Sequence, residues 1–146
     1  MKSRILIVDD EKEFVESLAE RLGMRDYDVT TSFSGEEAIE KVKGYNFDVV
    51  ILDVAMPGMD GVSALREIKK LKPLTEVLML TGNATVETAV EGMKLGALDY
   101  VLKPCEIEEL VSKINRGYQR KAEQEERIRS VKVAEIMASP MSALKE

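Results

Sequence analysis

The sequence predicts an α/β fold in which a five-stranded parallel sheet is covered by helices on both faces. Short apolar runs rich in β-branched residues have the composition of strands that are buried on both sides. The clearest of these runs are Ile5–Val8, Val49–Leu52, Val77–Leu80 and Leu98–Leu102. Strands alternate with helical patterns along the chain, which is typical of parallel sheets with right-handed crossovers. Five such units are too few for a closed eight-stranded barrel, so we expect an open, doubly wound sheet.

Glycines and a capping pattern delimit the first two strand–helix units. The predicted elements are strand Arg4–Val8, helix Glu11–Leu22, strand Tyr27–Phe33 and a helix that opens at Gly35. Gly23 follows the first helix and Gly44 ends the second, as expected of C-terminal stop residues. Ser34 and Glu37 are spaced as in a capping box, in which each side chain bonds to the other's backbone N–H.

Turn residues separate the remaining three units. The predicted elements are strand Phe47–Leu52, helix Gly61–Leu71, strand Glu76–Leu80, a helix that is capped by Thr85 or a neighbour of Ala84 and ends at Leu95, strand Leu98–Leu102 and a last helix that starts at Glu106. Pro57-Gly58 marks a turn in the loop after the third strand, Pro73 closes the third helix, and Gly96 follows the fourth. For this alternation we expect the flavodoxin-like strand order.

The last helix changes character along its length. Its first part has an amphipathic face made of Ile107, Leu110, Val111, Ile114 and Tyr118. Residues 119–129 are almost wholly polar with mixed charge, and apolar residues return between Val131 and Met137. We therefore predict a domain over residues 1–118, followed at 119–146 by a charged helical extension, linker or tail. A frayed tail is the favoured interpretation, and a short dimerising or interdomain helix is the alternative.

Composition excludes several classes of function. The formal net charge of −6 argues against direct nucleic-acid binding, which usually needs a basic face. No apolar stretch approaches the ~20 residues of a membrane helix, so no membrane partner is expected. Cys105 is the one cysteine, which excludes an internal disulfide and makes the cytoplasm the default location. The chain has no histidine, which excludes histidine bases and histidine metal ligands.

Polar residues follow the apolar runs at the positions where the predicted strands end. These residues are Asp9, Asp10, Asp53, Thr81 and Lys103. Ligands of open α/β sheets bind outside the carboxyl ends of the strands, so we expect these side chains to converge on one crevice. Three clustered carboxylates repel each other unless a cation joins them, and a lysine beside that cation suits an incoming phosphate. The sequence therefore predicts a site for phosphoryl chemistry at a carboxylate.

Five sequence pieces together resemble the receiver domain of two-component response regulators, over roughly residues 3–118. The pieces are Ile-Leu-Ile-Val-Asp-Asp-Glu at 5–11, Asp-Val-Val-Ile-Leu-Asp at 48–53, Met-Pro-Gly-Met-Asp-Gly at 56–61, Leu-Thr-Gly at 80–82 and Gly-Ala-Leu-Asp-Tyr-Val-Leu-Lys-Pro at 96–104. Each piece alone is weak. Their joint occurrence, in order and at strand ends, makes the match specific.

The resemblance implies a role for each acidic residue of the predicted crevice. Asp53 corresponds to the phosphoacceptor, which takes a phosphoryl group from a sensor histidine kinase or a phosphotransfer protein. Asp9 and Asp10 correspond to the acidic pair that holds Mg²⁺, with Asp53 and the backbone carbonyl of Ala55 as further ligands. Oxygen ligands of this kind are those that Mg²⁺ prefers.

The resemblance also implies the remaining catalytic and switch residues. Lys103 corresponds to the lysine that pairs with the phosphoryl oxygens, and the peptide bond before Pro104 is expected to be cis. Thr81 corresponds to the hydroxyl that moves toward the attached phosphate, and Tyr100 to the aromatic ring that follows it. The face formed by the fourth helix, fifth strand and fifth helix would then repack.

Two positions are expected to set the rate at which the phosphoryl group is lost by hydrolysis. They are Ala55 and Asn83, each two residues beyond an expected site residue. Many relatives carry a polar side chain at the position of Ala55, so only Asn83 is left to orient an attacking water. We therefore predict slow to moderate self-dephosphorylation.

Two other functions compete with a phosphorylation-controlled signalling module. A Mg²⁺-dependent phosphohydrolase working through an aspartyl phosphate would need a second acid two residues after the nucleophile, where this chain has Ala55. A phosphate-independent interaction module is the other alternative. On the favoured hypothesis the chain catalyses its own phosphorylation and dephosphorylation and is not a conventional enzyme. Its output would pass to a downstream protein or a fused output domain, and a homodimer is plausible.

Overall fold

A computed structural model describes residues 2–82 and 86–138, in which five strands alternate with five helices. The strands are β1 (Arg4–Val8), β2 (Asp28–Ser32), β3 (Val49–Leu52), β4 (Glu76–Thr81) and β5 (Asp99–Leu102). The helices are α1 (Lys12–Gly23), α2 (Gly35–Gly44), α3 (Gly61–Leu71), α4 (Val86–Lys94) and α5 (Ile107–Ala138). The predicted elements are all present, with ends that differ by one or two residues. The predicted start of the fourth helix, near Ala84 and Thr85, lies outside the described residues.

The sheet is parallel throughout and has the strand order β2-β1-β3-β4-β5. This order confirms the predicted flavodoxin-like topology. The last residues of β1 and β3, Val8 and Leu52, lie side by side, and Thr81 at the end of β4 pairs with Leu102 of β5. The residues that follow these strands are therefore placed at one edge of the sheet.

Helices pack on both faces of the sheet and create two apolar cores. Successive residues of β1 alternate between them: Leu6 and Val8 face one core, Ile5 and Ile7 the other. The first core is closed mainly by α2 and α3, and the second by α1 and α5. Because both faces of β1, β3 and β4 are covered, their residues are mostly apolar, which accounts for the uninterrupted apolar runs in the sequence.

The predicted capping box at the start of α2 forms in a modified way. Ser34 Oγ accepts a hydrogen bond from the backbone N–H of Glu37 at 3.1 Å, as expected. The Glu37 carboxylate, however, accepts from the N–H of Phe33 at 3.3 Å, one residue before the capping serine. At α1 the N-cap residue is Glu11, whose side chain makes no capping hydrogen bond.

Helix α5 runs without interruption from Ile107 to Ala138, a length of 32 residues. The extended C-terminal helix is thus confirmed, and residues 119–138 do not form the frayed tail that the charge pattern favoured. Lys121, in the middle of the polar segment, is buried. Within the described part of the chain, no helix has the combination of length and apolar character that crossing a bilayer requires.

Candidate functional site

The carboxyl edge of the sheet collects the polar residues that follow the strands. Backbone hydrogen bonds extend the strand ladders by one residue and fix these positions. The N–H of Asp53 donates to Val8 O at 3.0 Å, and the N–H of Lys103 donates to Thr81 O at 2.8 Å. Asp53 and Lys103 are therefore held in place by the sheet itself.

Three carboxylates meet at this edge, as predicted. One oxygen from each of Asp9, Asp10 and Asp53 lies within 4.8 Å of the other two. Asp9 and Asp53 are almost fully buried, with 2% and 5% of their surface exposed, whereas Asp10 is exposed. The side chain of Asp9 also accepts a hydrogen bond from the N–H of Glu11 at 3.0 Å, which fixes its orientation at the entry to α1.

The Asp53 carboxylate lies in an environment that disfavours its charge. Burial is the main cause of a raised pKa at Asp53, and the negative charge of Asp9 raises the pKa further. The ammonium group of Lys103 and hydrogen bonds from the Thr81 hydroxyl and the Ala55 backbone N–H offset only part of this effect. The site thus has more negative charge than its own groups neutralise, and a bound cation would relieve the repulsion.

Lys103 reaches across the crevice toward α1. Its Nζ lies 2.5 Å from Asp9 Oδ2, 3.4 Å from Glu11 Oε1 and 4.1 Å from the centre of the Phe14 ring. Burial alone would lower the pKa of Lys103, but the hydrogen bond and charge of Asp9 outweigh it and raise the pKa above its ordinary value. The lysine is therefore a fixed cation at the site. The peptide bond between Lys103 and Pro104 is cis, as expected.

A glycine controls the path of the loop that follows Asp53. A Cβ atom at Gly61 would lie 2.2 Å from the backbone oxygen of Asp53 and 2.5 Å from Val54 Cα, distances at which no side chain fits. The N–H of Gly61 donates to Val54 O at 2.9 Å. The start of α3 thus packs directly on the backbone of Asp53–Val54, which fixes this carboxylate from behind.

The remaining predicted residues lie around the crevice or outside the described chain. Tyr100 is half-buried, and its hydroxyl lies 3.4 Å from Thr88 Oγ1 on α4. Ala55 is exposed and offers its N–H to Asp53 Oδ1 at 3.3 Å. Asn83 lies outside the described residues.

Three residues with a role in the site geometry were missed by the sequence analysis as individual contributors. Glu11 and Phe14 contact Lys103 from α1, and Gly61 supports Asp53. The signal for Glu11 and Phe14 was available in part, since both lie within one helical turn of the carboxyl end of β1, where the site was expected.

A comparison with known protein families identifies the family to which this chain belongs. A family model described as the response regulator receiver domain matches residues 5–115, which is most of the chain. The chain belongs to the response regulator receiver family. Every site residue named above lies inside the matched range, including the acidic cluster and Lys103. The matched range includes residues of all five strands and the first part of α5.

Individual relatives agree with this assignment. The transcriptional regulatory protein ZraR of Escherichia coli K12 is 42% identical over 113 residues, which cover 77% of this chain and 26% of ZraR. The regulatory protein AtoC of the same organism is 38% identical over 117 residues, which cover 80% of this chain and 25% of AtoC. The chain thus spans about a quarter of the length of these curated relatives.

Solved structures support the same fold. A CheY-like response regulator receiver domain protein from Methanospirillum hungatei superimposes with a TM-score of 0.82 at 29% identity, over 85% of this chain and 99% of that one. A receiver domain protein from Clostridium thermocellum gives a TM-score of 0.79 at 34% identity, over 82% and 97% of the two chains. Receiver domains generally use Mg²⁺ at an acidic pocket, and the cluster of three aspartates is such a pocket.

Proposed function

We propose that Asp53 is the phosphoacceptor of this receiver domain and takes its phosphoryl group from a phosphohistidine on a sensor kinase or phosphotransfer protein. The observation that carries this proposal is the placement of the Asp53 carboxylate. It is buried, the negative charge of Asp9 raises its pKa, and the positive charge of Lys103 offsets only part of that effect. A carboxylate that is poorly solvated and poorly neutralised gains most from the arrival of a cation and a phosphoryl group.

The transfer step balances with groups that this chain and its donor supply. A carboxylate oxygen of Asp53 forms the new O–P bond while the N–P bond of the phosphohistidine breaks, and the imidazole leaves with the bonding electron pair and takes up a proton. The transition state carries charge on the equatorial phosphoryl oxygens, so its stabilisation is mainly electrostatic. Lys103 is the side chain of this chain that supplies positive charge there, after it leaves Asp9.

The acidic cluster fits Mg²⁺ by the chemistry of its donors. Asp9, Asp10 and Asp53 supply carboxylate oxygens within 4.8 Å of one another, and the unrelieved negative charge at Asp53 favours a cation. We propose these three residues and the backbone carbonyl of Ala55 as the ligands. When bound, Mg²⁺ neutralises charge between the attacking carboxylate and the phosphoryl oxygens.

Thr81 and Tyr100 are the proposed switch residues. The Thr81 hydroxyl already bonds to the Asp53 carboxylate, so after phosphorylation it can donate to a phosphoryl oxygen without leaving the site. Tyr100 occupies the space between β5 and α4 and contacts Thr88. Movement of Thr81 would change what Tyr100 packs against, and α4 and β5 would respond.

The surface next to Tyr100 is the proposed output face. It carries exposed apolar side chains of Val90 and Met93 on α4 and Leu102 on β5. Because the relatives ZraR and AtoC are about three times as long as this chain, we propose that the face controls a fused output domain or a separate protein. We also propose that the chain forms a homodimer through this face. We propose a cytoplasmic location, where kinases of this class act.

Intact-mass spectrometry after incubation with acetyl phosphate and Mg²⁺ tests the assignment of Asp53. We expect one phosphoryl adduct that hydroxylamine removes, because hydroxylamine cleaves acyl phosphates. The adduct should be absent from Asp53→Asn and from samples treated with a chelator, and it should form in the control Asp60→Asn. A full adduct on Asp53→Asn would refute the assignment, and no adduct on the wild-type chain would favour a phosphate-independent module.

A phosphohydrolase function is less well supported. The position two residues after Asp53 is Ala55, whose side chain cannot act as an acid or base, and whose contact with Asp53 is made by the backbone N–H. The same incubation distinguishes the two functions, since a phosphohydrolase would release inorganic phosphate continuously while a receiver accumulates a stoichiometric adduct.

A further inference from the structure

A second cluster of charged side chains lies at the amino edge of the sheet, at the opposite end of the strands from Asp53. Asp48 precedes β3 and accepts hydrogen bonds from the Arg4 backbone N–H at 2.8 Å and from the Arg4 guanidinium at 3.2 Å. Lys121 of α5 places its Nζ 3.2 Å from Asp48 Oδ1 and 3.5 Å from Glu125 Oε1. The cluster thus pairs two cations with two carboxylates.

The lysine of this cluster is unusual for its burial. The side chain of Lys121 is 2% exposed and that of Asp48 is 5% exposed. Lysine is almost never buried to this extent unless it is paired, because loss of hydration is offset only by close partners with good geometry. The pair therefore demands a defined position of α5 over the sheet, since a shift of the helix would leave Asp48 with Arg4 alone and Lys121 with Glu125 of its own helix alone.

Gly117 allows α5 to come close enough for this contact. A Cβ atom at Gly117 would lie 3.0 Å from side-chain atoms of Leu98 and Val49, so any side chain there would require these neighbours to give way. Lys121 lies one turn further on the same face of the helix. Arg120 adds a weaker contact, with its Nε 3.6 Å from Glu76 Oε1.

Lys121 continues the stripe of residues by which α5 docks on the domain. The buried residues of the helix are Ile107, Leu110, Ile114, Gly117 and Lys121, which recur at alternating spacings of three and four. Beyond this point the described helix is mostly exposed, up to Ala138. A largely polar helix of this length is marginal in water on its own, so its order and direction must come from the docked part.

We propose that the Lys121–Asp48 ion pair is a positioning device that fixes the direction in which α5 leaves the domain. Residues 122–138 are then a rigid continuation of the receiver over roughly 25 Å, at 1.5 Å per residue. If the docked part of α5 moves, residues 122–138 move with it as part of the same rigid body. The proposal goes beyond the proposed function, because it requires no phosphoryl group on Asp53.

Hydrogen–deuterium exchange on the full chain tests the proposal. In Lys121→Met we expect amides of residues 119–130 to exchange at least tenfold faster than in the wild-type chain, while amides of the five strands keep their protection. Lys132→Met is the matched control, since it removes an exposed lysine of the same helix, and it should exchange like the wild type. Phosphorylation by acetyl phosphate should be the same in all three, because the cluster lies at the other edge of the sheet. Equal protection of 119–130 in Lys121→Met and wild type would overturn the proposal.

A distance measurement on the Lys121-containing chain keeps the proposal testable if Lys121→Met does not fold. Spin labels are placed at Glu16→Cys on α1 and Ser130→Cys on α5, in a chain with Cys105→Ser. A single narrow distance distribution supports a rigid continuation of the domain. A broad distribution, with α5 pointing in many directions, would overturn it whatever the variant does.

Discussion

Lys103 Nζ lies 2.5 Å from Asp9 Oδ2, so the cation proposed to stabilise the phosphoryl group is paired with a residue proposed to hold the metal. Glu11 and the ring of Phe14 complete its surroundings on the side of α1. To pair with a phosphoryl group on Asp53, Lys103 must give up its contacts with these three partners. The contacts that stabilise this resting arrangement of Lys103 therefore oppose its movement toward the phosphoryl group.

Phe14→Leu should accelerate phosphorylation by acetyl phosphate. Loss of the cation–π contact releases Lys103 from part of its resting site, and such a contact contributes about 0.5–1 kcal/mol at a partly exposed position, which corresponds to roughly a two- to fivefold change in rate. The upfield ring-current shift of the Lys103 ε-methylene protons should disappear in the same variant. Phe33→Leu is the matched control, since Lys12 lies 5.6 Å from the Phe33 ring in a similar contact. A slower reaction in Phe14→Leu would show that the ring holds Lys103 in its productive position.

Asp53→Asn should raise the melting temperature of the metal-free chain at neutral pH. Burial and the charge of Asp9 raise the pKa of Asp53 above its unfolded value, so the ionised carboxylate destabilises the folded state at any pH above the folded pKa. The gain should therefore shrink as the pH falls through the folded pKa toward the unfolded one. Differential scanning calorimetry with a chelator measures it, and Asp26→Asn, at an exposed position, is the control. An unchanged or lower melting temperature in Asp53→Asn would contradict this account.

Mg²⁺ should stabilise the wild-type chain and have little effect on Asp53→Asn. A ligand present at a hundred times its dissociation constant stabilises a protein by about 2.7 kcal/mol, which corresponds to roughly 5–10 °C for a domain of this size. Asp9→Asn should lose most of the shift as well. Thermal unfolding at a series of Mg²⁺ concentrations gives the comparison. Equal shifts in all three chains would place the metal elsewhere.

Ala55→Asn should change the rate at which the phosphorylated chain loses its phosphoryl group. A carboxamide at this exposed position can hold an attacking water, and one hydrogen bond of about 0.5–1.5 kcal/mol corresponds to roughly a two- to tenfold faster loss. Ala55→Leu adds similar bulk without hydrogen-bonding groups and serves as the control. The rate is followed by intact mass after removal of acetyl phosphate. If neither Ala55→Asn nor Asn83→Ala altered the rate, these two positions would not control hydrolysis.

Acid should weaken the fold in part through Asp48. Burial alone would raise the pKa of Asp48, but hydrogen bonds from Arg4 and Lys121 outweigh it and hold the pKa below its ordinary value. A carboxyl group of this kind stabilises the fold above its unfolded pKa, near 4, and the contribution is lost as the pH falls toward the folded pKa. Asp48→Asn should cost about 3 kcal/mol at pH 7, by leaving Lys121 poorly paired, and less near pH 3. Urea unfolding of both chains from pH 7 to pH 3 measures the difference, and a difference independent of pH would exclude Asp48 as the titrating group.

The carboxyl edge of the sheet was predictable from the sequence, and the amino edge was not. Asp9, Asp53, Thr81 and Lys103 directly follow apolar strands, and parallel topology alone brings such positions together. Lys121 lies among charged residues, so its local pattern indicates a solvated helix. Its partner Asp48 is 73 residues away in the chain, and no periodicity connects the two. The same holds for Lys103 and Glu11, which are 92 residues apart.

The buried Lys121–Asp48 pair also affects how this receiver could be exchanged between regulators. The match to the family model ends at residue 115, six residues before the lysine that Asp48 needs. A chimera joined at residue 115 would keep Asp48 at the edge of its sheet. The residue opposite Asp48, at the position of Lys121, would come from the helix of the other regulator. Joined after Glu125 instead, the receiver keeps its own basal ion pairs, and only the exposed end of α5 has to match a new neighbour.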